Sequence, residues 1–139
     1  MTTTHEKKVL KQKLTTLLRG KKGIMFAYLF GSTARMEDNK KSDIDIAVYL
    51  TKDTIQHYPL YPESLSLSLE KQIKRSIDIR VLNNQNLRFL HQVLKDGELL
   101  FSKNNTKRVL FETDVYDHYL DFKYFIDQYN RLRRERLSS

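Results

Sequence analysis

The chain of 139 residues contains no cysteine. That absence excludes a disulfide framework and any thiolate metal site. No apolar run approaches the ~18 residues needed to cross a bilayer. The N-terminal stretch MTTTHEKKVLKQKL has no apolar core of the kind a secretory signal carries. A soluble, cytoplasmic protein with no membrane association is therefore the expectation. There is no internal repeat, no low-complexity segment and no interdomain linker, so one domain over residues 1–139 is expected. The histidines His5, His57, His91 and His118 are scattered without metal-ligand spacing and read as ordinary surface or half-buried residues. What the chain does have is enough apolar content for one real core, 40% with eight Tyr and seven Phe. It also has a basic balance, 25 Lys and Arg against 17 Asp and Glu, net +8. That charge suits ATP, nucleic acid or an acidic partner without choosing among them.

Hydrophobic periodicity lays out the elements. Residues 5–19 read as a helix with Leu10, Leu14, Leu17 and Leu18 on one face, ended by Gly20 to Gly23. The run IMFAYLF at 24–30 reads as a buried strand. Ser32 is the expected N-cap of a short helical turn through about Met36, with a polar loop over 37–42. DIDIAVYL at 43–50 alternates, with Asp43 and Asp45 on one face and Ile44, Ile46 and Val48 on the other. Residues 51–62, with Pro59 and Pro62, read as loop, and 63–75 as a helix with Leu65, Leu69 and Ile73 spaced by four. SIDIRVL at 76–82 alternates again, placing Ser76, Asp78 and Arg80 opposite Ile77, Ile79 and Val81. A helix over 86–96 with Gly97 at C′, a short strand at 98–101, and a long helix from Thr106 to about Leu137 complete the chain. The last helix has an expected apolar stripe of Val109, Tyr116, Leu120, Tyr124 and Ile126. The sum is a single α/β domain: a mixed sheet of about four strands with helices packed on it.

The chemistry concentrates in GSTARMEDNKKSDID, residues 31–45. A tight Gly31-Ser32 turn brings backbone N–H groups toward a phosphate. Asp43 and Asp45, two residues apart on a strand, point to one face with Cα atoms about 6.5–7 Å apart. Unpaired, such carboxylates repel and one tends to protonate; a divalent cation removes the penalty. Mg²⁺ takes one or two carboxylates plus substrate phosphates, and two-metal sites place ions about 3.5–4 Å apart. Asp78 is the candidate third carboxylate, converging with the pair if strands 43–50 and 76–82 are neighbours. Its alternative reading is an exposed residue on a half-buried strand.

Gly-Ser, about ten residues, Asp-x-Asp, and a third Asp on a later strand resemble the DNA polymerase β-like nucleotidyltransferase superfamily. The resemblance covers roughly residues 24–82, and the small size makes the chain similar to the minimal nucleotidyltransferase (MNT) group, which keeps little beyond the α/β core. Members of that group are commonly antitoxins paired with HEPN-domain ribonuclease toxins. The resemblance implies a Mg²⁺-dependent transfer of AMP from ATP to a tyrosine of the toxin, within a hetero-oligomer. Residue by residue it implies that Gly31 and Ser32 hold the triphosphate. Asp43 and Asp45 would bind Mg²⁺, two ions in all, and Asp78 would complete the metal site and help deprotonate the acceptor. Arg35, one turn after Ser32, reaches a phosphate or is a solvated surface residue; both readings stay open.

Related enzymes that modify aminoglycosides or RNA ends add substantial helical or RNA-binding regions. Residues 83–139 contain only two helices and a short strand, which favours an acceptor delivered by a partner protein. Two alternatives remain: a small-molecule nucleotidyltransferase, or an antitoxin acting by binding alone. The chain is not itself the HEPN partner, which is marked by Arg, four to six residues, then His, a spacing absent here. Ser32 lacks a Gly-x-Ser-x-Gly elbow and is not a nucleophile candidate. Tyr116, Tyr119, Tyr124 and Tyr129 read as core or partner-facing. The Lys-rich start and the RLRRER end read as solvated or partner-docking faces in preference to nucleic-acid contacts.

Overall fold

The computed structural model describes residues 3–36 and 43–138. The expected loop over 37–42 lies outside the described residues. Helix α1 (Thr4–Arg19) starts at Thr3, whose Oγ1 accepts from the Glu6 N–H at 3.1 Å. That bond satisfies one of the donors a helix start leaves unpaired. Strand β1 (Ile24–Phe30) runs into the four-residue helix α2 (Gly31–Ala34). Strand β2 (Ile44–Leu50) follows, then helices α3 (Lys52–His57) and α4 (Tyr61–Ile73), and strand β3 (Ile77–Val81). Helix α5 (Leu87–Asp96), strand β4 (Glu98–Ser102) and the long helix α6 (Asn105–Ser138) complete the order.

The strands form one mixed sheet in the order β3-β2-β1-β4. β1 is antiparallel to β2 and to β4, while β2 and β3 are parallel. The parallel pair needs a crossover, which α3 and α4 supply. Alternation sorts the side chains onto two faces. On one, Leu29, Ile44, Ile46, Val48, Ile77 and Ile79 meet Leu14 and Leu18 of α1 and Leu65 and Leu69 of α4. On the other, Phe26, Tyr28, Ala47 and Leu82 pack with Val93 of α5, and Phe111 of α6 closes over them. Leu14 and Leu18 are fully buried, so truncating either to Ala costs about 2–5 kcal/mol.

Four details differ from the sequence reading. Residues 51–62 are not all loop: Thr51 Oγ1 caps α3 by accepting from the Thr54 N–H at 3.2 Å, and Pro62 sits in the first turn of α4. There its missing N–H costs nothing. Ser32 is not an N-cap: α2 begins at Gly31 with Phe30 at the cap position and no side-chain capping bond. Gly97 is the C-cap of α5 in extended backbone, not a left-handed C′ residue; it is required for space, since a Cβ there would overlap the Val93 carbonyl oxygen and stand 3.0 Å from Leu29 O. The apolar stripe expected on α6 faces outward, with Val109 48%, Tyr116 40%, Leu120 62% and Tyr124 68% exposed. The packed face instead carries Arg108, Phe111, Glu112, Val115 and Tyr119, and Ile126 further along is half-buried. Tyr28 Oη donates to Glu112 Oε1 at 2.6 Å, and Arg108 Nη1 donates to the same oxygen at 3.0 Å. These part-buried polar bonds join Phe111 and Val115 in seating α6.

Candidate active site

The end of β1 organises the site. Phe30, its last residue, is the register partner of Asp45 on β2, and Asp45 is the register partner of Asp78 on β3. Neighbouring strands lie about 4.8 Å apart, and register partners point to the same face. Asp45 and Asp78 therefore stand side by side on the sheet face opposite α1 and α4. Asp43 lies one residue before β2 and is exposed. Next to Phe30, Gly31 turns the chain with φ +72°, in the left-handed region. A Cβ at Gly31 would overlap the Asp45 carboxylate, whose Cγ would lie 3.0 Å away and whose Cβ 3.2 Å. The glycine is thus required twice, by the backbone angle and by the carboxylate against it. Ser32 is half-buried in the same turn, and Arg35 is the exposed C-cap of α2.

Burial is the first cause that raises the Asp45 pKa, followed by the negative charges of Asp78 and Asp43; Arg35 and Arg80 oppose the shift. Arg80 lies two residues beyond Asp78 on the same face of β3. Its guanidinium sits 4.7 Å from the Phe89 ring centroid, and Phe89 meets Phe30 edge-on at 5.6 Å. The positive charges of both arginines act on the Asp45 carboxylate, and the Phe89 ring packs against that of Arg80. Among the described residues, no set of three or more His, Cys, Asp or Glu is gathered tightly enough to form a ready-made metal cage. The donor chemistry nevertheless suits a hard cation. Carboxylate oxygens on adjacent strands, destabilised by one another, match an ion that takes one or two carboxylates and completes its shell from phosphate.

The neighbouring-strand condition set for Asp78 is met, and Gly31, Ser32, Arg35, Asp43, Asp45 and Asp78 occupy one end of the sheet. The larger clefts lie elsewhere. One of 720 Å³ lies between α1 and β4 and one of 790 Å³ lies beside Tyr49 and Phe111. A smaller depression of 370 Å³ opens on Asp78 beside Ser66 and Leu67 of α4. Two residues were not singled out from the sequence. Arg80 had the signal of i+2 spacing from Asp78. Lys7, which bonds to the back of the α2 turn, had none.

A glycine turn closing one strand, with carboxylates on the neighbouring strand and on the strand beyond it, defines the α/β nucleotidyl-transfer class. The chain belongs to the polymerase beta nucleotidyltransferase family, whose model matches residues 12–106 and so spans every candidate residue. No curated protein matches the sequence. Among solved structures, a toxin–antitoxin with AMP-PNP is 26% identical with a TM-score of 0.66, covering 81% of this chain and 88% of that one. A mutant of the toxin–antitoxin MntA–HpeT is also 26% identical, with a TM-score of 0.62 over 81% of this chain and 87% of that one. The tri-AMPylated Shewanella oneidensis HEPN toxin in complex with MNT antitoxin shares the fold at 24% identity. Its TM-score is 0.62, over 84% of this chain and 88% of that one. Among the described residues no helix is long and apolar enough to cross a membrane.

Proposed function

We propose that this chain is a cytoplasmic antitoxin that transfers AMP from ATP to a tyrosine of a cognate HEPN ribonuclease toxin and so neutralises it. The observation that carries the reading is the placement of Asp45, in register with Asp78 and pressed against the Gly31 turn. Family membership and the likeness to a toxin–antitoxin with AMP-PNP support it. In this reading the Gly31-Ser32 turn holds the triphosphate and Arg35 reaches a phosphate from the end of α2. Asp43, Asp45 and Asp78 would hold Mg²⁺, as two ions. When bound, the metal supplies neutralisation of phosphate charge and a lowered pKa for the attacking hydroxyl. Asp78, the exposed carboxylate on the edge strand, accepts the proton of the acceptor tyrosine. The tyrosine oxygen attacks the α-phosphorus; a Tyr–O–P bond forms as the bridging bond to the β-phosphate breaks, and pyrophosphate leaves.

The outer half of α6 supports a protein acceptor. Leu120, Tyr124, Phe125, Tyr129, Leu132 and Leu137 are each between 57% and 72% exposed. So much apolar surface on one helix marks an interaction site, which suits a hetero-oligomer with the toxin. Cleavage of RNA by the toxin tests the reading. Preincubation with this chain, ATP and Mg²⁺ is expected to silence the toxin, and the paired substitutions Asp43→Ala and Asp45→Ala to leave it active. Equal silencing without ATP would show an antitoxin that works by binding alone.

A further inference from the structure

The Lys7 ammonium, on α1, is a meeting point of three segments. Nζ donates to the Ala34 carbonyl oxygen at 2.7 Å and pairs with Glu98 Oε1 of β4. Lys11 Nζ holds the other oxygen of Glu98 at 2.8 Å. The Lys7 side chain is 12% exposed, that of Lys11 32%. Ala34 is the last residue of α2, the turn whose first residue is Gly31 against Asp45. A four-residue helix has no stability of its own, and its glycine start leaves the backbone unusually free. Buried Thr33 and Ala34 pack it against the core, and a charge-assisted bond to its last carbonyl adds a strong tether from outside.

We propose that Lys7 is a positioning residue for nucleotide binding. It fixes the Gly31–Ala34 turn from the side away from the carboxylates, and Glu98 and Lys11 fix Lys7. This rests on the reading that the turn holds the triphosphate of ATP. Lys7 touches neither nucleotide nor acceptor. Loss of its ammonium lets the turn drift and weakens the grip on phosphate in ground and transition states alike, which raises KM for ATP with little change in kcat.

Lys7→Met keeps the apolar stem and removes the tether. Lys11→Met removes a partner of the same Glu98 but no bond to the turn, so it reports general loosening of α1 against β4. AMP-PNP titration by calorimetry is expected to show affinity about tenfold weaker for Lys7→Met, the loss of one charge-assisted bond. Lys11→Met should match wild type and Lys7→Arg should recover most of the loss, all three folded by circular dichroism. KM for ATP in AMP transfer should rise about tenfold in Lys7→Met, with kcat within about twofold. Unchanged AMP-PNP affinity in Lys7→Met overturns the proposal, and so does equal weakening in Lys7→Met and Lys11→Met. If Lys7→Met fails to fold, Lys7→Gln, which also lacks the ammonium, takes its place, and AMP-PNP affinity in Lys7→Gln equal to that of Lys11→Met overturns the proposal. A wild-type chain that binds AMP-PNP but transfers no AMP fails the transfer reading and leaves the titration to decide Lys7. A wild-type chain that binds no nucleotide ends both.

Discussion

Replacing Gly31 by alanine tests the organisation of the site at its tightest point. The backbone there has φ +72°, which costs a residue with a Cβ about 1–2 kcal/mol. The new methyl would also overlap the Asp45 carboxylate, with Cγ at 3.0 Å. Relieving that overlap by moving either group adds about 1–3 kcal/mol. The two effects sum to about 2–5 kcal/mol, and they are separable. In an Asp45→Ala background the overlap is largely removed and Gly31→Ala should cost only the backbone share. Urea denaturation of the four proteins closes a double-mutant cycle with an expected coupling of about 1–3 kcal/mol. Melting temperature should fall by about 2–4 °C for each kcal/mol in a chain of this size. Displacing the carboxylate by ~1 Å should also lower AMP transfer by about 100-fold. An equal cost of Gly31→Ala in both backgrounds would refute the contact. Wild-type transfer by Gly31→Ala would refute its importance to the chemistry.

Three further outcomes follow from the same charges and bonds. Burial, then Asp78 and Asp43, raise the Asp45 pKa, so the folded chain holds a proton that the unfolded chain releases; stability is highest below the usual Asp range and falls as pH rises through it toward the raised value. Asp45→Asn should therefore melt at a higher temperature than wild type at neutral pH without metal or nucleotide, while losing transfer; a lower melting temperature would contradict the repulsion. Glu98 behaves oppositely: burial pushes its pKa up, but Lys11 and Lys7 outweigh that and hold it below the usual carboxylate range. Its stabilisation is present above the ordinary Glu pKa of about 4 and is lost as pH falls through that value toward the depressed one. The melting-temperature advantage of wild type over Glu98→Gln should accordingly shrink in acid, and a constant gap would count against the ion pairs. Tyr28→Phe removes the bond to Glu112 and should cost about 1 kcal/mol in urea. Glu112→Ala, which also strands Arg108, should cost more, about 2–3 kcal/mol; a smaller cost would show that apolar packing alone seats α6.

The legible parts of the chain are those with a clear apolar pattern, either a continuous run as in β1 or side chains alternating between a wet and a dry face. β2 and β3 could be read because Asp43, Asp45, Asp78 and Arg80 interleave with buried or half-buried Ile and Val; alternation put Asp43 and Asp45 on one face, while Asp78 joined them only through the pairing of β2 with β3. α3 was hidden because KDTIQH buries only Thr54 and two prolines beside it read as loop. The orientation of α6 was hidden for the opposite reason. Apolar residues occur on all its sides, and the seated face combines Phe111 and Val115 with Glu112 and Arg108 meeting Tyr28. Lys7 is one lysine in a Lys-rich helix; its partners lie 27 and 91 residues away, and only the fold brings them to it.

The most direct measurement is the intact mass of the cognate HEPN toxin after incubation with this chain, ATP and Mg²⁺. The toxin should gain whole AMP units, located on tyrosine by peptide fragmentation, with no gain when the chain carries Asp45→Asn. A toxin of unchanged mass that is nonetheless neutralised, or AMP found on small molecules instead, would contradict the assignment.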